Sequence, residues 1–556
     1  MHVPNPAPPD VRSLARRLGM TVTMADVLVR QGLGGDEASV RRFLNPRLSD
    51  LTPPSLMADR QIAADRIVRA IRHEERVVVY GDYDCDGMTS TAILTEGLRA
   101  MGGRVDPVLA SRFDGGYGLS EAGLARALAG RPTLLVTCDC GSADHERVAA
   151  AKAAGVDVVV IDHHLVPSEP LPALAFLNPH RPECGFPYKG LASCGLALSV
   201  LAAVRAELKV SLDLRTYLDL VAVGTIADVA PLDGDNRALV RAGLGVIATG
   251  ARPGLRALAE YARLELGTTP HAEDVSFKLA PRLNAPGRLG SPDDALAVLL
   301  ARDLVAARAA AAVCEQANLR RRELQDRMLA EAVAEVEREG YADMPAMVLA
   351  SEGWHVGVVG IVAGRLASTY GRPVVVAGIQ DGVAHGSVRS AGGVPVVTAL
   401  GRCRDALLGL GGHEKAAGVK FAATRLGEVR EAFCAAVAAI EGAQADPEPP
   451  TVRLDPSDEP AAVLRDFCQL EPCGERNRAP SVCAVGAKVV SAREVKGGHL
   501  SVDLEVEGRR MRGFGAQLGT RAPGLGRRVN VWGALRRDGW RGGDAVEIRI
   551  DEVSPA

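Results

Sequence analysis

Residue types that ligate metals recur at the ends of apolar runs in the first half of this sequence. Val77-Val78-Val79-Tyr80 leads into Gly81-Asp82-Tyr83-Asp84-Cys85-Asp86-Gly87, Thr133 to Thr137 leads into Cys138-Asp139-Cys140-Gly141, and Asp157 to Ile161 leads into Asp162-His163-His164. A fourth acid, Asp228, follows the apolar run Leu218 to Val223 through Gly224-Thr225-Ile226-Ala227. Carboxylates gathered this closely repel one another, and a buried unpaired carboxylate is costly, so cations are the economical explanation. Asp-x-Asp-x-Asp-Gly also opens an EF-hand loop. That loop needs a Glu at its last ligand position, here Ile93, and a helix in front rather than the strand-like Val77 to Tyr80. A solvated acidic turn fits the first motif taken alone, and helix capping or a core histidine fits Asp162-His163-His164 taken alone. Neither covers all four segments together. No G-x-S-x-G elbow supports a Ser-His-Asp hydrolase. Cys138 and Cys140 alternate along a strand, so their thiols face opposite sides and read as core filler rather than a zinc pair.

Segments so distant in sequence meet only if the fold gathers them. Continuous β-branched runs separated by Ala-rich amphipathic spans predict a parallel sheet covered on both faces, and the carboxyl ends of neighbouring strands in such a sheet converge on one crevice. Upstream, the opening sixty residues predict a small helical region with Leu14, Val27, Leu28, Phe43 and Leu44 inside. Downstream, 291–340 is rich in Ala, Leu, Arg and Glu and is expected to form one long helix of about 70 Å. A second α/β pattern runs from Ala346 to about Gly442, and Ala445-Asp446-Pro447-Glu448-Pro449-Pro450 reads as an extended linker. Beyond it the period becomes two, with Leu500, Val502, Leu504 and Val506 alternating with Ser501, Asp503, Glu505 and Glu507, and Val546, Ile548 and Ile550 alternating with Glu547, Arg549 and Asp551. The expected organisation is therefore 1–60 helical, 61–290 α/β and catalytic, 291–340 linking helix, 341–445 a second α/β domain, and 451–556 an all-β barrel. No internal repeat is evident.

A chain of 556 residues has room for three or four domains with cores of their own. Its net charge of −3 neither announces nor excludes a nucleic-acid partner. Charge is unevenly spread, however: from Arg509 to Arg541 there are nine Arg, one Asp and no Glu or Lys, interleaved with Phe514, Trp532 and Trp540. Arg among exposed aromatics is the chemistry of single-strand binding, where bases stack and phosphates are neutralised; aromatics that are instead core would make those Arg merely solubilising. Eleven cysteines without zinc-type spacing suit free thiols in a reducing compartment, and the Pro-rich N-terminus lacks the pattern of a secretory signal. With no apolar run of membrane-spanning length, the expectation is a cytoplasmic protein without a membrane partner.

Asp162-His163-His164, with the Asp-rich loop before it and Asp139, resembles the DHH phosphoesterase superfamily. Within it, Tyr80 to Ser90, Gly224 to Leu232, Pro281 to Arg288, Trp354 to Gly360, Gly411 to Gly418 and Leu470 to Asn477 are similar to the RecJ family of single-strand-specific 5′→3′ DNA exonucleases. The resemblance spans nearly the whole chain. It implies a DHH domain, a DHH-associated domain joined to it by the long helix, and a C-terminal OB-like barrel. It further implies metal ligands at Asp84, Asp86, Asp139, His163 and Asp228, with Asp82 supporting or ligating and His164 contacting the scissile phosphate. Arg112, Arg282, Asn284 and Arg288 would line the substrate path. Ser387, Arg389 and Ser390, with Gly412 and His413, would hold phosphate, and the first three would anchor a chain end through an Arg fork and hydroxyls. Mixed Asp and His ligation favours two divalent ions, manganese ahead of magnesium. The implied role is hydrolysis of terminal phosphodiesters to 5′-mononucleotides in DNA repair and recombination, on single-stranded DNA supplied with the help of a helicase and a single-strand-binding protein, by a monomer. Two positions depart from the family pattern: Gly115 in Arg112-Phe113-Asp114-Gly115-Gly116-Tyr117-Gly118 stands where an acid is usual, and Pro286 where Ala is common. The rivals are a shorter kind of DHH enzyme, such as an oligoribonuclease with nucleotide phosphatase activity or a manganese pyrophosphatase, and a silent DNA-binding scaffold. Chain length and the Arg-aromatic stretch oppose the first, and the full ligand set opposes the second.

Overall fold

The β-branched runs that precede the acidic motifs form the centre of a parallel sheet. In the structure, a computed structural model that describes residues 2–114, 118–440, 449–506, 508–539, 541–542 and 545–556, the strands are β1 (Arg76–Gly81), β2 (Arg104–Leu109), β3 (Leu134–Cys138), β4 (Asp157–Ile161) and β5 (Ala175–Leu177). Their order is β2-β1-β3-β4-β5, all parallel. In this doubly wound order the chain reverses direction between β1 and β3, and the ligand crevice of such sheets opens outside the carboxyl ends of those two strands. Helices Cys85–Ala100 and Ser193–Leu208 cover one face, and their apolar sides join β1, β3 and β4 in one core.

One run behaves differently from the others. Leu218 to Ala227 is a helix, not a strand, so Asp228 reaches the crevice as the C-terminal cap of a buried helix. A short continuous apolar run has no period that distinguishes a buried strand from a helix buried on every side. The long linking helix is also shorter than 291–340. It spans Leu304–Glu339, 36 residues and about 54 Å. Asp303 stops it by accepting hydrogen bonds from the amides of Val305 and Ala306, while Asp293–Leu300 forms a separate helix buried in the catalytic core.

The second α/β unit is a mixed sheet of β6 (Met347–Ser351), β7 (Val374–Gln380), β8 (Val383–Arg389), β9 (Gly409–Gly412) and β10 (Ala416–Ala422), in the order β6-β7-β8-β10-β9. The last hundred residues are mainly β, as their alternation implies, with the short helix Pro460–Phe467 ahead of the barrel. The strands are β11 (Thr451–Arg453), β12 (Ser481–Val495), β13 (His499–Val506), β14 (Arg509–Gly515), β15 (Arg528–Arg537) and β16 (Val546–Pro555). Pairing of β15 with β12 closes β12-β13-β14-β16-β15 into a five-stranded barrel of OB type. Trp532 is buried at 1 % exposure on the β15 face opposite Val529 and Val531, which line the barrel core, so this aromatic is no exposed stacking platform. Phe514 stays half-buried, with the His499 ring 5.4 Å away and the Arg536 guanidinium 5.6 Å over its face. Glu507 and Trp540, Gly115 to Tyr117 of the Arg112 segment, and most of the Pro-rich linker lie outside the described residues.

The N-terminal helices Pro9–Leu18, Val22–Arg30 and Glu37–Leu44 pack on the far end of the chain. Met24, Val27, Leu28, Val40 and Leu44 share one core with the barrel, and Arg12 pairs with Asp455 at 2.5 Å. Thr23 donates its hydroxyl to Asp458 at 2.8 Å and Thr21 its hydroxyl to Asp466 at 2.7 Å. This assembly is tied to the catalytic unit by Arg237. Its buried guanidinium lies 3.9 Å over the Phe43 ring and donates to the carbonyls of Phe43 (2.8 Å), Leu470 (2.9 Å), Pro472 (3.3 Å) and Gln469 (3.2 Å). Burial draws its pKa down to about 10, which leaves it charged at neutral pH. Among the described residues, no helix is long and apolar enough to cross a membrane.

Replacing Arg237 by Met strips several buried carbonyls of their donor, a loss on the order of 3 kcal/mol. Calorimetry of the Arg237→Met variant is expected to show the barrel and N-terminal helices melting at a lower temperature than the catalytic unit. A single transition at the wild-type temperature would remove the clamp from this account.

Candidate metal centre

Backbone bonds carry the ladder one residue beyond β1 and β3 and aim two carboxylates at one opening. The Asp82 amide donates to the Cys138 carbonyl at 3.2 Å, and the Asp139 amide to that of Ile161 at 2.9 Å. Asp139 adopts a left-handed φ of 61°, strain that a non-glycine residue keeps only where its surroundings dictate it. Between these strands Asp84 caps the helix Cys85–Ala100, its Oδ1 accepting from the amides of Asp86 (3.1 Å) and Gly87 (3.2 Å). A Cβ at Gly87 would lie 2.5 Å from the Asp82 carbonyl, so the loop closes this tightly only with glycine there. Asp86, two positions after Asp84, is buried and is held by the first amides of the neighbouring helix: Ser193 donates to Oδ2 at 2.7 Å and Cys194 to Oδ1 at 2.9 Å. The Ser193 hydroxyl donates to Asp139 Oδ1 at 3.2 Å.

His163 and Asp228 complete the cluster. His163 Nε2 stands 3.2 Å from Asp139 Oδ1, 3.7 Å from Asp228 Oδ2 and 3.9 Å from Asp86 Oδ2. A Cβ at Gly224 would sit 2.4 Å from Thr89 Oγ1 and 2.9 Å from Asp86 Oδ1, so a glycine lets the helix that carries Asp228 approach this closely. Val229, next to Asp228, has a φ of 60°, an outlier for a β-branched residue. Three overlapping sets of ligand atoms result, each within 4.8 Å: Asp86-His163-Asp228, Asp139-His163-His164 and Asp82-Asp84-Asp139.

His164 is set by a different acid. Asp162 Oδ1 lies 2.7 Å from His164 Nδ1 and also accepts from the His163 and His164 amides at 2.8 and 3.2 Å, while its Oδ2 accepts from the Ser142 amide at 3.0 Å. Burial opposes the Asp162 charge, yet these bonds and the His164 charge hold its carboxyl well below the usual range. Burial likewise disfavours a charged His164, but the hydrogen bond to Asp162 and its charge win and raise the imidazole to about 9. His164 is therefore a cation at neutral pH. The His413 ring of the second α/β unit stacks on it, centroids 5.6 Å apart, and Gly412 before it has a φ of 141° and passes so near β10 that a Cβ would lie 2.5 Å from the Ala416 carbonyl.

The other acids show the opposite electrostatics. Burial and the neighbouring charge of Asp84 push Asp82 well above the carboxylate range. Burial first, and then Asp84, Asp86 and Asp228, do the same to Asp139, and burial with Asp86 and Asp84 to Asp228. Asp86 is raised to about 6, chiefly by burial, and burial with the His164 charge takes His163 down to about 3. Asp82 Oδ1 and His163 Nε2 are buried without a hydrogen-bond partner. A neutral imidazole, crowded carboxylates and orphaned acceptors aimed at one opening fit a divalent-metal centre with mixed oxygen and nitrogen donors.

Across the opening lies a set of cations. The Arg112 guanidinium stacks 4.4 Å over the Tyr83 ring. Arg288 donates to the Gly357 carbonyl at 3.3 Å and Arg389 to that of Val388 at 2.9 Å, and among the described residues none of the three meets a carboxylate. They feel one another: burial first, and then Arg112 and Arg389, lower Arg288 to about 10, and burial with Arg112 lowers Arg389. Ser387 shares the β8 face of Arg389, and a Cβ at Gly360, at the start of the helix Val359–Tyr370, would be 3.0 Å from Arg389 Nη2 and 3.1 Å from Ser387 Oγ. Guanidinium forks, a hydroxyl and a helix N-terminus make an anion cradle. Asn284 keeps a buried Oδ1 without a hydrogen-bond partner.

Two expected substrate residues are engaged elsewhere. Arg282 is buried against the long helix, its Nε 2.6 Å from Glu315 Oε2, and donates to the Lys278 carbonyl at 2.6 Å. The Ser390 hydroxyl donates to the Val394 carbonyl at 2.5 Å and orders its own turn. Three supporting groups escaped the sequence reading. Asp162 was visible in its motif, and Tyr83 lay between two proposed site residues. The amides of Ser193 and Cys194 left no sequence signal, because backbone donors look alike in every residue.

Known proteins with this arrangement are informative. The DHH family N-terminal domain profile matches residues 76–225, the DHHA1 domain profile 343–439 and the RecJ OB domain profile 452–552. The single-stranded-DNA-specific exonuclease RecJ of Bacillus subtilis is 33% identical over 98% of this chain and 69% of its own length. Crystal structures of Thermus thermophilus RecJ superpose on 99% of this chain: the complex with Mn2+ has a TM-score of 0.84 at 32% identity over 79% of its length, and that with Mg2+ 0.78 at 31% over 78%.

Metal binding at this centre must displace protons. Asp82, Asp139 and Asp228 are raised as well as Asp86, so ion binding releases protons, with Asp86 adding its own as the pH falls through about 6, and the stabilisation gained from Mn2+ should shrink across that range. Thermal unfolding with and without Mn2+ at pH 7.5 and pH 5.5 tests this. An increment that is equal at both, or that persists in Asp139→Ala, would count against the assignment.

Proposed function

This chain belongs to the RecJ family, and on that premise we propose that it is a single-stranded-DNA-specific exonuclease that hydrolyses the 5′-terminal phosphodiester to release 5′-mononucleotides. The observation that carries this reading is the juxtaposition of a buried acidic crevice with a guanidinium cradle whose arginines pair with no carboxylate among the described residues. The crevice suits cutting; the cradle suits holding a phosphorylated end.

Asp84, Asp86, Asp139, His163 and Asp228, with Asp82, would hold two divalent ions, and the imidazole donor favours manganese over magnesium. When bound, such ions supply Lewis acidity for activating water and for the charge that develops on the phosphoryl and leaving oxygens. The chain's own residues do the rest. The Ser193 and Cys194 amides fix Asp86, and Asp162 holds the His164 ring through Nδ1, leaving Nε2 to donate a proton-bearing edge to a phosphate oxygen. Arg112, Arg288, Arg389 and Ser387 anchor the terminal phosphate, so the bond presented to the crevice lies one nucleotide in; polarity then follows from distance rather than from the metals. Asn284, Gly412 and His413 line the path between cradle and crevice. The barrel retains a half-buried Phe514 beside Arg536 and His499 and contributes single-strand affinity. All eleven cysteines are free, which suits the cytoplasm, where repair and recombination supply such strands with the help of a helicase and a single-strand-binding protein to a monomeric enzyme. The closed barrel favours this reading over a shorter DHH phosphatase, and the intact ligand set favours it over a silent scaffold.

Digestion of end-labelled single- and double-stranded DNA with Mn2+ is expected to degrade only the single strand from its 5′ end. Asp139→Ala and chelation should each lower the rate about a thousandfold or more. Attack on duplex at a comparable rate, or activity surviving Asp139→Ala, would sink the proposal.

End recognition has its own test. Arg389→Ala and Tyr83→Leu should each lower the preference for a 5′-phosphate over a 5′-hydroxyl about tenfold, whereas Tyr83→Phe, which keeps the ring under Arg112, should restore it. An unchanged ratio in Arg389→Ala would remove that residue from the cradle.

A further inference from the structure

A second cavity lies behind the metal centre. It has a volume of about 220 Å³ and sits between the segment 48–56 and the helices Ser193–Leu208, Leu218–Ala227 and Gly234–Thr249. Its walls are mainly apolar, with Leu51, Phe186, Leu191, Leu198, Leu218 and Leu239 among them. The pocket opens to solvent where Pro54 and Arg215 are exposed, and its mainly apolar wall favours the burial of a hydrocarbon chain.

The polar groups on the wall are unequal. Asp235, the one carboxylate among the lining residues, already accepts from the Thr52 amide and hydroxyl, both at 3.1 Å, and Arg215 is paired with Asp213 at 2.7 Å. Arg60 differs. Its Nε donates to the Ser199 hydroxyl at 2.8 Å and its Nη2 to the Ser199 carbonyl at 2.8 Å, but Nη1 makes no hydrogen bond and no carboxylate pairs with it among the described residues. A half-buried guanidinium on the wall of an open apolar pocket, with its Nη1 edge left to solvent and no paired carboxylate among the described residues, suits an anion attached to something apolar.

We propose that this cavity binds a small amphipathic monocarboxylate, with its alkyl chain among the leucines and its carboxylate on the Nη1 edge of Arg60. The site would not be remote from the chemistry. Leu191 and Gly195 flank Ser193 and Cys194, whose amides hold Asp86, and Leu218 opens the helix that ends at Asp228. An occupant would thus stiffen two supports of the metal centre.

Calorimetric titration of the full chain with sodium octanoate, octan-1-ol and octylamine tests the site independently of nuclease activity. Octanoate is expected to bind saturably at one site, about tenfold more tightly than octanol and more tightly still than octylamine. Arg60→Gln should remove the advantage of octanoate over octanol, and Leu198→Trp, which fills the cavity, should abolish binding of both. Absence of saturable octanoate binding to the wild type would overturn the proposal. So would octylamine binding as tightly as octanoate, or octanoate binding undiminished in both variants. The probe comparison on the unmodified chain decides the matter even if a variant fails to fold.

Discussion

The constraint on which this structure depends is the confinement of several carboxylates around one crevice, at the carboxyl ends of parallel strands and of the helix Leu218–Ala227. Asp82, Asp86, Asp139 and Asp228 are drawn toward the neutral state by burial and by neighbouring charges, and the crevice is held together by features that cost the fold elsewhere: a left-handed aspartate at 139, a left-handed valine at 229, glycines where a Cβ would collide. Asp86 is stabilised by amide donors from a helix more than a hundred residues away in sequence, which makes the helix Ser193–Leu208 as much a part of the centre as the acids themselves. Strain and desolvation of this kind persist where binding compensates for them.

The histidine pair shows how one motif divides its labour. His163 and His164 are adjacent, yet the first is pressed toward neutrality and the second toward a positive charge. The difference is the hydrogen bond that His164 Nδ1 donates to Asp162, which the first histidine lacks on its ring. A neutral imidazole is a donor for a metal, and an imidazolium is a partner for phosphate. In the proposed function the three-letter motif would thus supply a metal ligand, a cation for phosphate and the acid that separates their roles.

Charge is also sorted between units. The first α/β unit supplies the acids, while the cradle draws Arg112 and Arg288 from it and Arg389 and Ser387 from the second, so the cleft exists only when the two are in register. The close approach of Gly357 to the Arg288 carbonyl, where a Cβ would lie 1.9 Å away, holds that register. The barrel and N-terminal helices are brought alongside through Arg237 and through Leu232, whose amide donates to the Glu475 carbonyl at 2.8 Å.

Periodicity made the parallel sheet and the barrel legible, because strands buried on two faces and on one face leave different patterns in the chain. The acids were legible because metal-ligand types follow those strands. The sequence by itself determined which residues are capable of chemistry and, through the sheet's winding, that Asp82, Asp139 and His163 meet. The tertiary structure decided what no residue type announces. It made the run before Asp228 a helix, sent Arg282 to Glu315, buried Trp532 in the barrel wall, and packed the helices up to Leu44 on the last hundred residues. Each of these outcomes turns on a partner distant in sequence, and an arginine or tryptophan reads the same in the chain whether its partner is a phosphate, a glutamate or the core.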